Sequence, residues 1–285
     1  PTTTFSPANS ATAVAVASDI TLTFNEAVRL TNNSALDDSN VDALITLKEN
    51  NSSGADIAFN ATINGGKTVI TINPNSNLSS TQVVYVAIGA TVEDASNNAI
   101  NAANVSFTTA DVSAPTMAIT SAEVSDGATS NDSTLAMTFT SSEATSNFLV
   151  GDISVNGGAL SSFNATSTTV YTATFTPSGD GAKTIDVAGG AFTDSSSNNN
   201  SAATQFNWTY DATSPTMAIT SAEVTDGATS DDSTLAMTFT TSKATSNFVV
   251  GDISVNGGAL SSFNATSSTV YTATFTPSGD GAKTI

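Results

Sequence analysis

One stretch of 71 residues occurs twice, 100 positions apart, and this repeat limits the fold more than any other feature of the chain. Residues 115–185 return at 215–285 with six differences: Ser125/Thr225, Asn131/Asp231, Ser141/Thr241, Glu143/Lys243, Leu149/Val249 and Thr168/Ser268, so that 71 − 6 = 65 positions are identical. Stacked solenoid units run to about 20–50 residues, so a unit of 100 positions is too long for one. It has the size of a self-contained β-sandwich. Near-identity of neighbours points to recent duplication of a whole domain, as in long arrays.

Within one unit, apolar and polar residues alternate in short blocks. Leu135, Met137 and Phe139 alternate with Ala136, Thr138 and Thr140. Tyr171, Ala173 and Phe175 alternate with threonines, and Phe206, Trp208 and Tyr210 with Asn207 and Thr209. A period of two sets one face on a core and the other in water. Further strands are predicted over 116–121, 152–155 and 183–187, and Asn156-Gly157 predicts a tight hairpin. No helical period is present. Residues 1–110 differ from the repeat but follow the same grammar. Strands are predicted over 19–24, 43–48, 57–63, 68–72, 82–88 and 105–109, with a tight turn at Asn64-Gly65-Gly66. The expectation is an all-β chain of three tandem sandwiches, 1–110, 111–210 and 211–285. The third lacks a counterpart of 186–210. It is expected either to be truncated or to be completed by a strand from another chain.

Composition narrows the function. Twenty-five Asp and Glu face six Lys and Arg, a net charge of −19. Nucleic acid and anionic membrane would both repel this charge. There is no His and no Cys, which removes a Ser-His-Asp triad, thiol catalysis and the commonest zinc ligands. Gly157-Gly158 and Gly189-Gly190 read as turn glycines, because no strand–loop–helix context makes them a phosphate loop. No carboxylate stands in a catalytic motif, and the exchange of Glu143 for Lys243 reads as an exposed, tolerant position. The chain is read as not an enzyme. No leader-like segment and no run near 18 apolar residues occurs, so no direct membrane insertion is expected in this segment. Opening at Pro1, it reads as a mature or internal fragment. Trp208, between Phe206 and Tyr210 on one strand face, is predicted to be core rather than a sugar-stacking platform.

The motifs DATSPTMAIT from Asp211, SDDSTLAMTF from Ser230, GDISVNGG from Gly251 and TVYTATFTPSGDG from Thr269 resemble the bacterial immunoglobulin-like repeats of giant surface proteins and adhesins. That resemblance covers most of 111–285. SPANSATAVAVASDITLTFNEAV from Ser6, KTVITINPNSNLSSTQVVYVAIG from Lys67, VEDASNNAI from Val92 and VSFTTAD from Val105 resemble the immunoglobulin-like domain of S-layer and cell-wall proteins. These resemblances imply tandem immunoglobulin-like β-sandwich domains at a cell surface, in a rod, filament, sheath or S-layer-like assembly. Three such domains in line would reach roughly 100 Å. The partners implied are other copies of the chain. Alternatives are an adhesin module recognising a glycan or surface protein, and an accessory part of a secreted enzyme.

Two kinds of site are predicted. Asp111 and Asp211 open acidic linkers that end in Pro115 and Pro215. Glu123, Asp126, Asn131 and Asp132 follow the first, and Glu223, Asp226, Asp231 and Asp232 the second. Hard cations take several oxygen ligands from such loops. Calcium at the domain junctions is therefore expected on Asp111, Asp126, Asn131, Asp132, Asp211, Asp226, Asp231 and Asp232, stiffening the junction. Resembling adhesin repeats imply the same linker clamp. The competing reading is solvated turn residues. Among the Asn-x-Ser/Thr sequons, Asn60, Asn104, Asn164, Asn207 and Asn264 are predicted glycan acceptors, with Asn207 facing away from its aromatic strand face.

Overall fold

A computed structural model describes residues 1–285, which divide into two compact units, Pro1–Tyr210 and Asp211–Ile285. The first unit contains two sandwiches.

In the first sandwich the strands are β1 (Thr3–Ser6), β2 (Ile20–Phe24), β3 (Arg29–Leu30), β4 (Ile45–Glu49), β5 (Phe59–Ile63), β6 (Val69–Pro74), β7 (Val83–Ile88), β8 (Val92–Glu93) and β9 (Ala103–Thr108). They form the sheets β1-β2-β6-β5 and β4-β7-β9, with β3 and β8 paired separately. Alternation decides which side chains enter the core. Ile20, Leu22, Ile70 and Ile72 come from one sheet, and Leu47, Val84, Val86 and Phe107 from the other. Each such side chain contributes about 1.5–3 kcal/mol on burial. The Asn64 carboxamide oxygen accepts the backbone N–H groups of Thr68 and Val69, which closes the predicted turn between β5 and β6.

The second sandwich contains β10 (Met117–Ser121), β11 (Thr129–Ser130), β12 (Leu135–Ser141), β13 (Ile153–Asn156), β14 (Gly158–Ala165), β15 (Val170–Pro177), β16 (Gly181–Val187) and β17 (Phe206–Tyr210). Its sheets are β10-β12-β15-β14 and β11-β17-β16-β13. Leu135, Met137, Phe139, Tyr171 and Phe175 of the first meet Ile185, Val187, Phe206 and Trp208 of the second. Trp208 is core: it is buried and stands edge-on to Phe175, ring centroids 4.8 Å apart. Phe148 lies among the rings of Phe139, Phe163, Tyr171 and Phe192 at 5.0–6.0 Å. Such pairs add about 0.5–1.5 kcal/mol each beyond area burial.

Asn156-Gly157 does not make the predicted hairpin. β13 pairs with β16 and β14 with β15, so the dipeptide is a corner where the chain changes sheets. Gly157 supplies the positive φ of 77°, and a Cβ on Gly158 would lie 2.2 Å from the Phe175 ring. The turn chemistry was legible, but the pairing depends on distant strands.

In both sandwiches a short segment that follows the first strand runs beside the last strand in the same direction. Thr129 and Ser130 of β11 pair in parallel with Thr209 and Tyr210 of β17. In the first sandwich Val14 pairs in parallel with Thr109: its N–H donates to Thr108 O at 3.2 Å, and Ala110 N–H donates to Val14 O at 2.7 Å.

Asp211–Ile285 forms one four-stranded sheet of β18 (Met217–Ser221), β19 (Leu235–Thr241), β20 (Gly258–Ala265) and β21 (Val270–Pro277), in the order β18-β19-β21-β20. Its registers match those of β10, β12, β14 and β15. Phe239, Tyr271 and Phe275 are buried, whereas Met217 and Ile219 are 38% and 42% exposed where Met117 and Ile119 are 4% and 8%. In the second sandwich the face carrying Met117 and Ile119 meets Phe206 and Trp208 of the opposite sheet.

Candidate functional site

Asp111, in the linker between the first two sandwiches, is held from both sides. The Ser80 hydroxyl, from the loop before β7, donates to Asp111 Oδ1 at 2.9 Å, and Val112 N–H donates to Ser80 Oγ at 3.0 Å. From the second sandwich, Ser196 Oγ donates to Asp111 Oδ2 at 3.1 Å, and Asn198 Nδ2 to the Asp111 carbonyl at 3.3 Å. The linker's own Ser113 N–H donates to Oδ1 at 3.0 Å. One carboxylate thus ties a loop of each domain to the linker.

The loop that supplies Ser196 and Asn198 is organised by Asp194, which is buried. Its Oδ1 accepts Ser196 N–H at 2.8 Å and Asn198 N–H at 2.9 Å, and its Oδ2 accepts Asn198 Nδ2 at 2.9 Å. Asp94, Ser96 and Asn98 build the same turn in the first sandwich with the same bonds. Asn200 fixes the loop from behind. Its Oδ1 accepts Phe192 N–H at 2.9 Å, and its Nδ2 donates to the carbonyls of Ala188 and Ser201 at 2.9 and 2.8 Å.

Glu143 completes the group, with carboxylate oxygens of Asp111, Glu143 and Asp194 within 4.8 Å of one another. Burial, then the charge of Asp111, then a hydrogen bond to Asp194 and the Asp194 charge push the Glu143 carboxyl above the usual carboxylate range. Hydrogen bonds from Ser113 and then Ser80 hold Asp111 below it. Burial pushes Asp194 up, and the combined hydrogen bonds from Asn198, Ser196 and Glu143 outweigh it, so its carboxyl lies low. The three carboxylates offer oxygen ligands, the kind that hard divalent cations take.

Lys243 stands where the preceding repeat has Glu143. Its ammonium donates to Asp211 Oδ1 in a short ion pair and to the Thr213 carbonyl at 2.5 Å. The first sandwich also carries a cation on its matching turn. Arg29 Nε pairs with Glu93 Oε1 at 3.2 Å, and Nη2 donates to Asn97 Oδ1 at 2.8 Å. The Glu143/Lys243 exchange therefore does not mark a freely exposed site, as the sequence suggested: both residues are half-buried beside the linker aspartate.

Asp126 and Asp132, the other carboxylates predicted at the first junction, do not join the group at Asp111. Asp126 accepts Asn207 N–H at 2.7 Å on the flank of β17. Asp132 accepts the Ser130 hydroxyl, and Asp232 the Ser230 hydroxyl at 2.5 Å, in turns before β12 and β19. Glu123 and Glu223 accept Ser121 and Ser221 hydroxyls at 2.7 Å. Asn131, Asp226 and Asp231 are exposed. Sequence reasoning missed Glu143, Asp194, Ser80, Ser196 and Asn198. The signal for the turn was the Asp-x-Ser-x-Asn pattern shared by 94–98 and 194–198. The side chains of Asn60, Asn104, Asn164, Asn207 and Asn264 are all exposed, and Asn207 does face away from the core.

A family model described as a bacterial Ig-like domain matches residues 111–210 and 211–285, and a second model of the same description matches residues 2–109. No curated protein matches the chain. Among solved structures, the N-terminal part of the bacterial S-layer protein SbsC is 12% identical with a TM-score of 0.27, the match covering 85% of this chain and 41% of that one. Invasin, a bacterial integrin-binding protein, is 12% identical with a TM-score of 0.34, covering 97% and 54%. InvD of Yersinia pseudotuberculosis is 16% identical with a TM-score of 0.30, covering 84% and 68%. The chain spans about half or less of the length of the SbsC part and of invasin. With both family models together covering residues 2–109 and 111–285, the chain belongs to the bacterial Ig-like domains.

Proposed function

We propose that the chain is a load-bearing structural module of an extracellular surface protein. The observation that carries this reading is the parallel pairing, in both of the first two sandwiches, of the last strand with a segment that directly follows the first strand. Tension on the two ends of such a domain pulls parallel neighbours in opposite directions. The hydrogen bonds between them are then loaded together in shear and cannot open one at a time. The Asp111 tie extends this resistance through the linker. A surface of net charge −19 suits a soluble, self-repelling array. The partners in this reading are further copies of the chain or other surface proteins. The absence of His and Cys fits a mechanical rather than a catalytic task. Antibody labelling of intact producing cells tests the location: signal without permeabilisation is expected, and signal only after lysis would defeat the proposal.

In the same reading, Asp111, Glu143 and Asp194 hold a hard divalent cation, calcium before magnesium because an oxygen-rich and loop-built corner suits the larger ion. The ion would neutralise three neighbouring carboxylates and stiffen the linker. Equilibrium dialysis against calcium is expected to show an ion that Asp194→Asn removes, and no bound ion would refute it. The exposed sequons are proposed glycan acceptors, to be read by intact-mass analysis of native material; unmodified mass would end that proposal.

A further inference from the structure

Three corners of this chain can be compared, and they are neutralised differently. The turn around Asp94 carries the Arg29 guanidinium. The linker residue Asp211 carries the Lys243 ammonium. The corner of Asp111, Glu143 and Asp194 brings three carboxylates together. Between the last two, Glu143 is replaced by Lys243, and the sequence 211–285 contains no counterpart of Asp194.

We infer that Lys243 is a built-in counter-cation, which anchors its linker aspartate without a metal ion, so that neighbouring repeats of almost identical sequence differ in cation dependence. The ammonium sits between the Asp211 carboxylate and the Thr213 carbonyl, two oxygens that a bound cation would otherwise face. Position 243 is the only one of the six differences where a charge reverses sign, and it lies at the linker anchor. Placing lysine at position 143, where Asp194 is present, isolates the effect of this one exchange on the response to divalent ions. The inference rests on the cation reading of the Asp111 corner for its contrast, but the role of the ammonium is testable without it.

The test uses the full chain with Glu143→Lys and Glu143→Gln, melted in chelator and in calcium. Trp208 is the single tryptophan and reports the second sandwich. Wild type is expected to melt higher in calcium than in chelator. Glu143→Lys is expected to lose that difference and, in chelator, to melt about 4 °C or more above Glu143→Gln. A Glu143→Lys chain that keeps the calcium shift, or melts no higher than Glu143→Gln, overturns the inference. If wild type shows no calcium shift, the metal reading fails. An elevated Glu143→Lys melt would then still support the ammonium's role. Lys243→Gln gives a second readout that does not depend on refolding a new pair. Protease cleavage within 211–216 should quicken in that variant, equally with and without calcium, and unchanged cleavage counts against the anchor.

Discussion

Replacing Asn200 by Ala tests whether the loop that grips Asp111 is held as described. Asn200 is 3% exposed and makes three side-chain hydrogen bonds, to Phe192 N–H and to the carbonyls of Ala188 and Ser201. Each such bond contributes about 1 kcal/mol net, so their loss costs roughly 3 kcal/mol. Phe192 is buried, and its N–H would be left without a partner, which adds about 1–3 kcal/mol. The expected loss is therefore on the order of 4 kcal/mol, confined to the second sandwich. For a domain of this size about 1 kcal/mol moves the melting midpoint by 4–8 °C, so a fall of at least ~15 °C follows. Asn200→Asp should be comparably harmful, because a carboxylate keeps the acceptor but sets negative oxygen against two carbonyls. Trp208 fluorescence during urea unfolding reads the change. The same variant should loosen the Ser196 and Asn198 contacts to Asp111. A loss below about 1 kcal/mol, similar to that of the exposed neighbour Asn199→Ala, would refute the reasoning.

Two further outcomes are expected. Gly158→Ala should destabilise the second sandwich by about 1–3 kcal/mol or more, since the new methyl would meet the buried Phe175 ring at 2.2 Å and Thr176 O at 2.5 Å; a neutral result in thermal melts would show that the corner yields. The Ser121 hydroxyl and, against burial, the Glu123 backbone N–H and then the Ala136 amide hold the Glu123 carboxyl below its usual range. A folded pKa below the unfolded one gives stability that is present above about pH 4.3 and lost as pH falls through the folded value. Glu123→Gln should therefore lower stability at neutral pH and flatten the acid limb of the melting profile, and an unchanged acid limb would contradict the assignment.

Strands whose two faces differ were readable from sequence. The alternation in 135–140, 171–176 and 206–210 placed Phe139, Phe175 and Trp208 in the core, where they lie. β14 gave no such signal, because Gly158–Ala165 is an edge strand that is mostly exposed and interrupted by an irregularity between Ser161 and Asn164. The Asn156-Gly157 corner was read as a hairpin because turn chemistry is local while sheet membership is not. At the candidate site, Asp111 was visible as the opening of an acidic linker. Glu143 and Asp194 were not, since only the packing of the sandwich brings them to it from distant parts of the chain. The Glu143/Lys243 exchange was noticed and misread: charge reversal suggests indifference until the neighbouring aspartate is seen.

Pulling the chain by its two ends tests the load-bearing claim most directly. Force–extension curves should show separate unfolding events for the first and second sandwiches. Each should release about 300 Å, roughly 100 residues at ~3.5 Å each less the folded length. Ser130→Pro, which removes a backbone donor from the strand paired in parallel with β17, should lower the force of one event and leave the other unchanged. Extension without discrete events, or an unfolding force that ignores Ser130→Pro, would contradict the account.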